Sequence, residues 1–188
     1  MEKVSLNNVQ LDHLAKHHCS LGKYFYKTVA CDRLPKKPVK RTPVAYIVNT
    51  DPHDKPGRHW LALWTEGNKC EVFDSYGLPL EVYQTAKPLE NWLNEHWKYV
   101  IHNATPLQSV YTQSCGDYAL FFLIAKAEGQ SLQDFLKQFK KHDYVYNDHK
   151  VGQMLKKMIH KELAWDKICK LDHQQDCNSY CGVRHLLK

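Results

Sequence analysis

The sequence predicts an α+β fold, a small antiparallel or mixed central sheet with helices before and after it. Three observations carry that reading. Short runs rich in β-branched and aromatic residues, VAYIVNT (44–50), HWLALWTE (59–66) and KCEVFDSYG (69–77), are separated by turn-forming residues, as strands are. Ahead of them, LNNVQLDHLAKHH (6–18) spaces Leu6, Val9, Leu11 and Leu14 for one face of a helix. Behind them, Cys115 to Glu128 forms a strongly apolar helix ended by Gly129.

The remaining elements follow in order. LPKKPVKRTP (34–43) is an extended, solvated connector, and DPHDKPGR (51–58) is a polar turn. The Glu66-Gly67-Asn68 tip makes an antiparallel hairpin of the segments on either side of it. Residues 80–97 read as two helical pieces with a break at Pro88, and KYVIHN (98–103) as a further strand. SLQDFLKQFKK (131–141) sets a Ser N-cap before Leu132, Phe135, Leu136 and Phe139, and a Lys-rich helix covers about 148–163.

With 188 residues, the chain suits a single domain, 1–188. Its 43% hydrophobic content, with five Trp, eleven Tyr and six Phe, supports a sizeable core and excludes a disordered chain. No apolar run approaches the ~18–20 residues of a membrane span, so no membrane partner is expected. MEKVSLNNVQLDHLAKHH lacks the apolar segment of a secretory signal, and an intracellular, monomeric protein is expected. Seven cysteines in such a compartment are expected to be mostly free thiols. The net charge of +6 is uneven: +6 over residues 1–58, −4 over 59–130 and +4 over 131–188. Basic flanks of this kind can meet nucleic acid, or merely solubilise exposed helices.

Four residues stand where thiol chemistry would need them. Cys115 begins the apolar helix, where the positive end of the helix dipole favours a thiolate. His59 enters one hairpin strand and Asp74 leaves the other, so a short tip makes them neighbours at the open end. There the carboxylate can orient the imidazole as a base. Gln108, seven residues before Cys115, can donate its amide to an oxyanion beside the Cys115 backbone N–H. Gly116 leaves the backbone uncrowded, and Asp117 is expected to face solvent. Each residue alone has a plain structural reading: core thiol, strand-start histidine, turn aspartate, loop glutamine. From the residues alone the two readings stand level.

At these residues the sequence also resembles a known family. AYIVNT…GRHWLALW, CEVFDSYG and LQSVYTQSCGDYALFF are similar to motifs of the adenovirus maturation protease (adenain) family. The pattern is nearest to its relatives in Polinton/Maverick-type DNA transposons and related viruses. The resemblance spans about residues 10–128; the basic, helical part 131–188 shows little to match. It implies a papain-like cysteine protease of the adenain/deSUMOylase superfamily, its catalytic part within about 10–130. Cys115 would be nucleophile, His59 general base and then acid, Asp74 its orienting acid and Gln108 an oxyanion donor. Gln113, two residues before Cys115, is the rival donor, and Trp60 matches the family or simply packs in the core.

The resemblance further implies protein precursors of a virus-like particle as substrates, with a host nucleus or virion as location. It implies DNA and an activating peptide as cofactors, with none needed for the chemistry itself. No cysteine lies between Cys70 and Cys115, so any such peptide would act noncovalently. An isopeptidase removing ubiquitin-like modifiers is the alternative of like chemistry, and an inactive DNA-binding or capsid scaffold the alternative of another class. Cys169, His173, Cys177, Cys181 and His185 recur every four residues in the tail. On one helix four such ligands would spread over about 18 Å at ~1.5 Å per residue, too far for one tetrahedral ion, so no metal is expected. Cys19, Cys31 and Cys70 read as buried thiols, and the histidines at 13, 17, 18, 53, 142, 149 and 160 as surface residues.

Overall fold

The computed structural model describes residues 5–40 and 42–171, with side chains up to 161. The Cys/His tail beyond 171 and the side chain of Cys169 lie outside the described residues. Helix α1 (Asn8–His17) opens with a capping box. The Asn7 side chain accepts the Gln10 backbone N–H at 2.9 Å, and the Gln10 side chain accepts that of Asn7 at 3.0 Å. It buries Leu11, Leu14 and Ala15, whereas Val9 is 69% exposed and falls outside the stripe that spacing assigned it to.

Strand β1 (Phe25–Ala30) is an element the sequence reading did not find. A register irregularity between Phe25 and Lys27 leaves Tyr26 and Lys27 both exposed, which erases the two-residue alternation that marks a strand. Strand β2 (Val44–Asn49) is buried on both faces. Strands β3 (Trp60–Glu66) and β4 (Lys69–Phe73) form the expected hairpin. Its tip needs only Gly67 and Asn68 between the paired Glu66 and Lys69, with Gly67 at φ 59°, where a Cβ would be strained. Helix α2 (Lys87–His96) follows two short 3-10 turns, Leu80–Val82 and Gln84–Ala86. Pro88 therefore starts this helix instead of breaking one, because in the first turn its missing N–H costs no hydrogen bond.

Strand β5 (Tyr99–His102) completes a five-stranded sheet in chain order. The central pairs are antiparallel and the two outer pairs, β1–β2 and β4–β5, are parallel. The sheet is therefore mixed, within an α+β fold. Each parallel pair needs a long crossover. One contains α2, and the other is the proline-rich connector, whose Pro35 carbonyl accepts Trp92 Nε1–H at 2.7 Å.

The strands alternate between two cores. Ala45, Ile47, Ala62, Trp64 and Phe73 face α1 and the later helices; Tyr46, Val48, Leu61, Leu63 and Val72 face α2 through Leu89, Trp92 and Leu93. Helix α3 (Cys115–Ala127) lies across the first face and is buried at every position from Cys115 to Ala125. A helix apolar all round belongs inside a domain. This burial includes Asp117, which is 1% exposed; packing on several sides leaves the first turn of α3 no solvent face. Helices α4 (Leu132–Lys137) and α5 (Tyr144–Leu171) seal the same core with Phe135, Phe139, Val151, Met154, Leu155 and Met158. Ser131 caps α4 as expected, accepting the Asp134 backbone N–H at 3.1 Å.

Two smaller expectations also change. His18 is 3% exposed at the end of α1, where its Nδ1 accepts backbone N–H groups of Ser20 and Leu21 at 3.3 and 3.4 Å. Burial lowers its pKa to about 4. Cys19 is only half-buried, while Cys31 and Cys70 are buried. The first core has an aromatic centre: Phe122 stacks on Phe73 at 4.7 Å and meets Phe135 edge-on at 5.6 Å. Phe122→Ala is expected to cost about 3–5 kcal/mol in urea unfolding. A loss below about 1 kcal/mol would contradict this packing.

Candidate active site

The hairpin brings His59 and Asp74 to one end of the sheet. Trp60, the first residue of β3, pairs with Asn49, and the His59 carbonyl accepts the Thr50 N–H at 2.9 Å, which fixes the backbone before the strand. Phe73 ends β4 opposite Ala62, and Asp74 follows it. His59 Nε2 donates to Asp74 Oδ1 at 2.7 Å, and both residues are 3% exposed.

A buried carboxylate must be satisfied, and this one is. Oδ1 also accepts the Tyr76 N–H at 2.8 Å, while Oδ2 accepts the Tyr83 hydroxyl at 2.6 Å and the Leu78 N–H at 3.3 Å. Burial alone would push the Asp74 pKa up; the bond from His59 and these further donors hold it below the ordinary value. Asn103 clamps the same peptide, its Oδ1 accepting the Asp74 N–H at 2.8 Å and its Nδ2 donating to the Asp74 carbonyl at 2.7 Å.

The imidazole is held on its faces as well as its edge. The rings of Tyr76 and Tyr83 stack on it at 4.7 and 5.3 Å. Its Nδ1 is buried without a conventional hydrogen-bond partner, and the Cys115 thiol is the other side chain that interacts with the ring besides Asp74. Burial opposes a charge on His59. The hydrogen bond to Asp74, and then the interaction with Cys115, outweigh it and raise the pKa to about 9. Cys115 itself is the first residue of α3 and 8% exposed, and no side chain caps this helix at Ser114. The structure thus brings three of the four sequence candidates together around one imidazole: carboxylate, imidazole, sulfur.

Gln108 reaches this group through Tyr76, whose ring stacks on His59. It is 2% exposed, its Oε1 accepts the Ser75 hydroxyl at 2.6 Å, and its Nε2 donates to the Thr112 carbonyl at 2.8 Å. Its second amide proton makes only long contacts, at 3.4 Å, to the Tyr76 and Thr112 hydroxyls. Gln113 is exposed and lines the cleft beside Cys115. The loop carrying both glutamines is tied at each end. Ser75 O accepts the N–H groups of Leu107 and Gln108, and Asp148 on α5 accepts from Ser109 N, Thr112 Oγ1 and Tyr118 Oη. Gly77, at φ 63°, makes the close approach possible; a Cβ there would stand 2.7 Å from the Thr105 carbonyl carbon.

Gly116 serves packing, which differs from the expected open space beside the sulfur. A Cβ there would meet Leu11 of α1 at 3.2 Å and Trp60 at 3.4 Å, so glycine lets α1 and β3 close on α3. Trp60 is half-buried and lines the cleft as well as packing on the core. Tyr83, Asn103 and Asp148 were not found from the sequence. An aromatic, an amide and an acid at those spacings have no signature apart from the folded chain. The cleft, about 920 Å³, opens from Cys115, Trp60, Tyr76 and Gln113 across the ends of β1 and β2. Among the described residues, no cluster of three or more His, Cys, Asp or Glu is placed to hold a metal, and no helix is long and apolar enough to cross a membrane.

No family model matches the chain, and no curated protein matches it in sequence. Among solved structures, two crystal structures of ASFV pS273R protease are similar, the second of the Se-Met protein. They align with TM-scores of 0.48 and 0.47 and identities of 18% and 19%. The matches cover 77% of this chain and 66% and 67% of those chains, so this chain spans about two thirds of their length.

The His59–Asp74 pair has a measurable pH signature. Its raised pKa of about 9 lies above the unfolded value of ~6.5. It therefore adds stability that is full below pH ~6.5 and lost as pH rises through about 9. Asp74→Asn should lower the His59 pKa by more than about one unit in an NMR titration, since burial persists while the counter-charge goes. A His59 that still titrates near 9 in Asp74→Asn would remove Asp74 from this role.

Proposed function

We propose that this protein is a cysteine endopeptidase. The observation that carries the reading is the buried Asp74–His59 pair, whose imidazole also interacts with the Cys115 thiol, on a helix N-terminus inside a cleft. In the proposed reaction the Cys115 thiolate, paired with the His59 imidazolium, attacks the scissile carbonyl carbon. His59 then gives its proton to the leaving amine, and water, deprotonated by His59, releases the acyl group from sulfur. The oxyanion donors are the Cys115 backbone N–H and the loosely held second amide proton of Gln108. Tyr83 and Asn103 act through Asp74, as positioning residues.

On the motif resemblance we extend the proposal to precursor proteins of a viral or virus-like particle as substrates. DNA and a noncovalent peptide are proposed as activators, and a host nucleus or virion as the site of action. The intact set of nucleophile, base, acid and amide favours this over a scaffold, which has no use for all four.

Iodoacetamide labelling across pH, mapped by mass spectrometry with and without duplex DNA, tests the thiolate–imidazolium pair. Cys115 is expected to label selectively well below pH 8 in wild type and to lose that selectivity in His59→Ala. Cys31 is an internal control, since burial and then its acidic neighbours push its thiol up to about 11. Cys115 labelling only as an ordinary thiol under every condition would overturn the reading. Gln108→Glu keeps the acceptor for Ser75 and removes the donor. It is expected to lower kcat about 10²-fold, more than Gln113→Ala does. The reverse order would assign the donor to Gln113.

A further inference from the structure

The cleft has two chemically different ends. Along the sheet end, Asp74 follows β4, His59 precedes β3, Asp51 follows β2 and Arg33 follows β1, in the order of the strands themselves. The wall away from Cys115 carries Lys27, Arg33, Lys55 and Arg58 against one lining acid, Asp51. That acid is already occupied. It is 2% exposed, Arg58 binds it through Nε and Nη2 at 2.8–3.1 Å, and Thr85 adds a hydroxyl at 2.8 Å. Arg58 and Asp51 cancel each other, and Lys27 and Lys55 form no ion pair among the described residues.

Arg33 is aimed as well as charged. Its Nη2 donates to His53 Nε2 at 2.6 Å, His53 Nδ1 donates to Asp32 at 2.6 Å, and Asp32 approaches Arg33 Nε only at 4.0 Å. The guanidinium is thus oriented by the His53 ring while its side chain stays 58% exposed to the cleft and solvent.

We infer that this wall is a subsite for an acidic side chain of the peptide substrate, a statement that rests on the endopeptidase reading above. Distance sets the position. Neighbouring strands lie ~4.8 Å apart, so the end of β1 is about 10 Å from the start of β3, which an extended peptide spans in about three residues at ~3.3 Å each. The preferred substrate carries Asp or Glu about three residues from the scissile bond, on one side of it. The net positive wall favours that residue over neutral and basic ones by charge complementarity. Nucleic acid lying in the same groove is the competing occupant.

A positional library of quenched fluorescent peptides, varied over four residues on each side of the bond, tests this. Wild type is expected to prefer Asp or Glu over Gln about three- to tenfold in kcat/KM at one position, chiefly through KM and less so as salt rises. Arg33→Glu should invert the ratio toward Lys at that position, which a merely unfolded variant cannot do. Cleavage with no acidic preference, or a preference that survives Arg33→Glu and Lys55→Glu, overturns the subsite while leaving the endopeptidase standing. Competitive inhibition by short duplex DNA, relieved by the same substitutions and without positional preference, assigns the wall to nucleic acid. No cleavage of any peptide, with or without duplex DNA, by a protein whose Cys115 labels selectively well below pH 8 overturns the endopeptidase reading and the subsite with it.

Discussion

Asp74 carries a charge in a place that water does not reach, and the surrounding structure is arranged to keep it there. Its oxygens accept from an imidazole, a phenol and two backbone amides, and its own peptide is held at both N–H and C=O by Asn103. The turn leaving β4, the 3-10 segment bearing Tyr83 and the loop bearing Asn103 all converge on this carboxylate. A neutral residue there would leave several buried donors unsatisfied. It would also leave His59 charged without a partner, or uncharged. The raised proton affinity of His59 is therefore a property of the whole turn more than of one ion pair.

The sulfur is fixed from the other direction. α3 is enclosed on all sides, so its first residue has little freedom to move relative to the sheet. Gly116 permits that enclosure by letting Leu11 and Trp60 approach the backbone closely. The loop before Cys115 is then strung between Ser75 on the sheet side and Asp148 on α5. Two rigid parts, the strand ends and the helix start, meet through this loop.

Much of this was legible in the sequence because it depends on local patterns. The hairpin follows from a Gly-containing tip, and once its length is known His59 and Asp74 must be neighbours. The apolar run from Cys115 announces a central helix with a thiol at its start. What the sequence concealed depends on pairing across long separations. β1 lost its alternation to a bulge, and its parallel partner lies beyond a proline-rich crossover. Asp117 looked like a solvent-facing helix acid because N-terminal carboxylates usually are; enclosure of the whole helix overrode that. Tyr83 and Asn103 are ordinary residues in sequence and acquire their roles only when Asp74 arrives between them.

The brace from Asp148 has a kinetic side. It reaches back 39 residues to Ser109, 36 to Thr112 and 30 to Tyr118. His59 and Asp74, by contrast, are joined within a hairpin, 15 residues apart. Loop-closure entropy makes the hairpin contact the easier to close and the long loop the harder, by about 1 kcal/mol. The His59–Asp74 half of the site is thus held by a contact local in sequence, and the loop that seats the sulfur is braced only when the chain has grown past α3 and folded back. A half-made chain carries its thiol and its histidine as strangers.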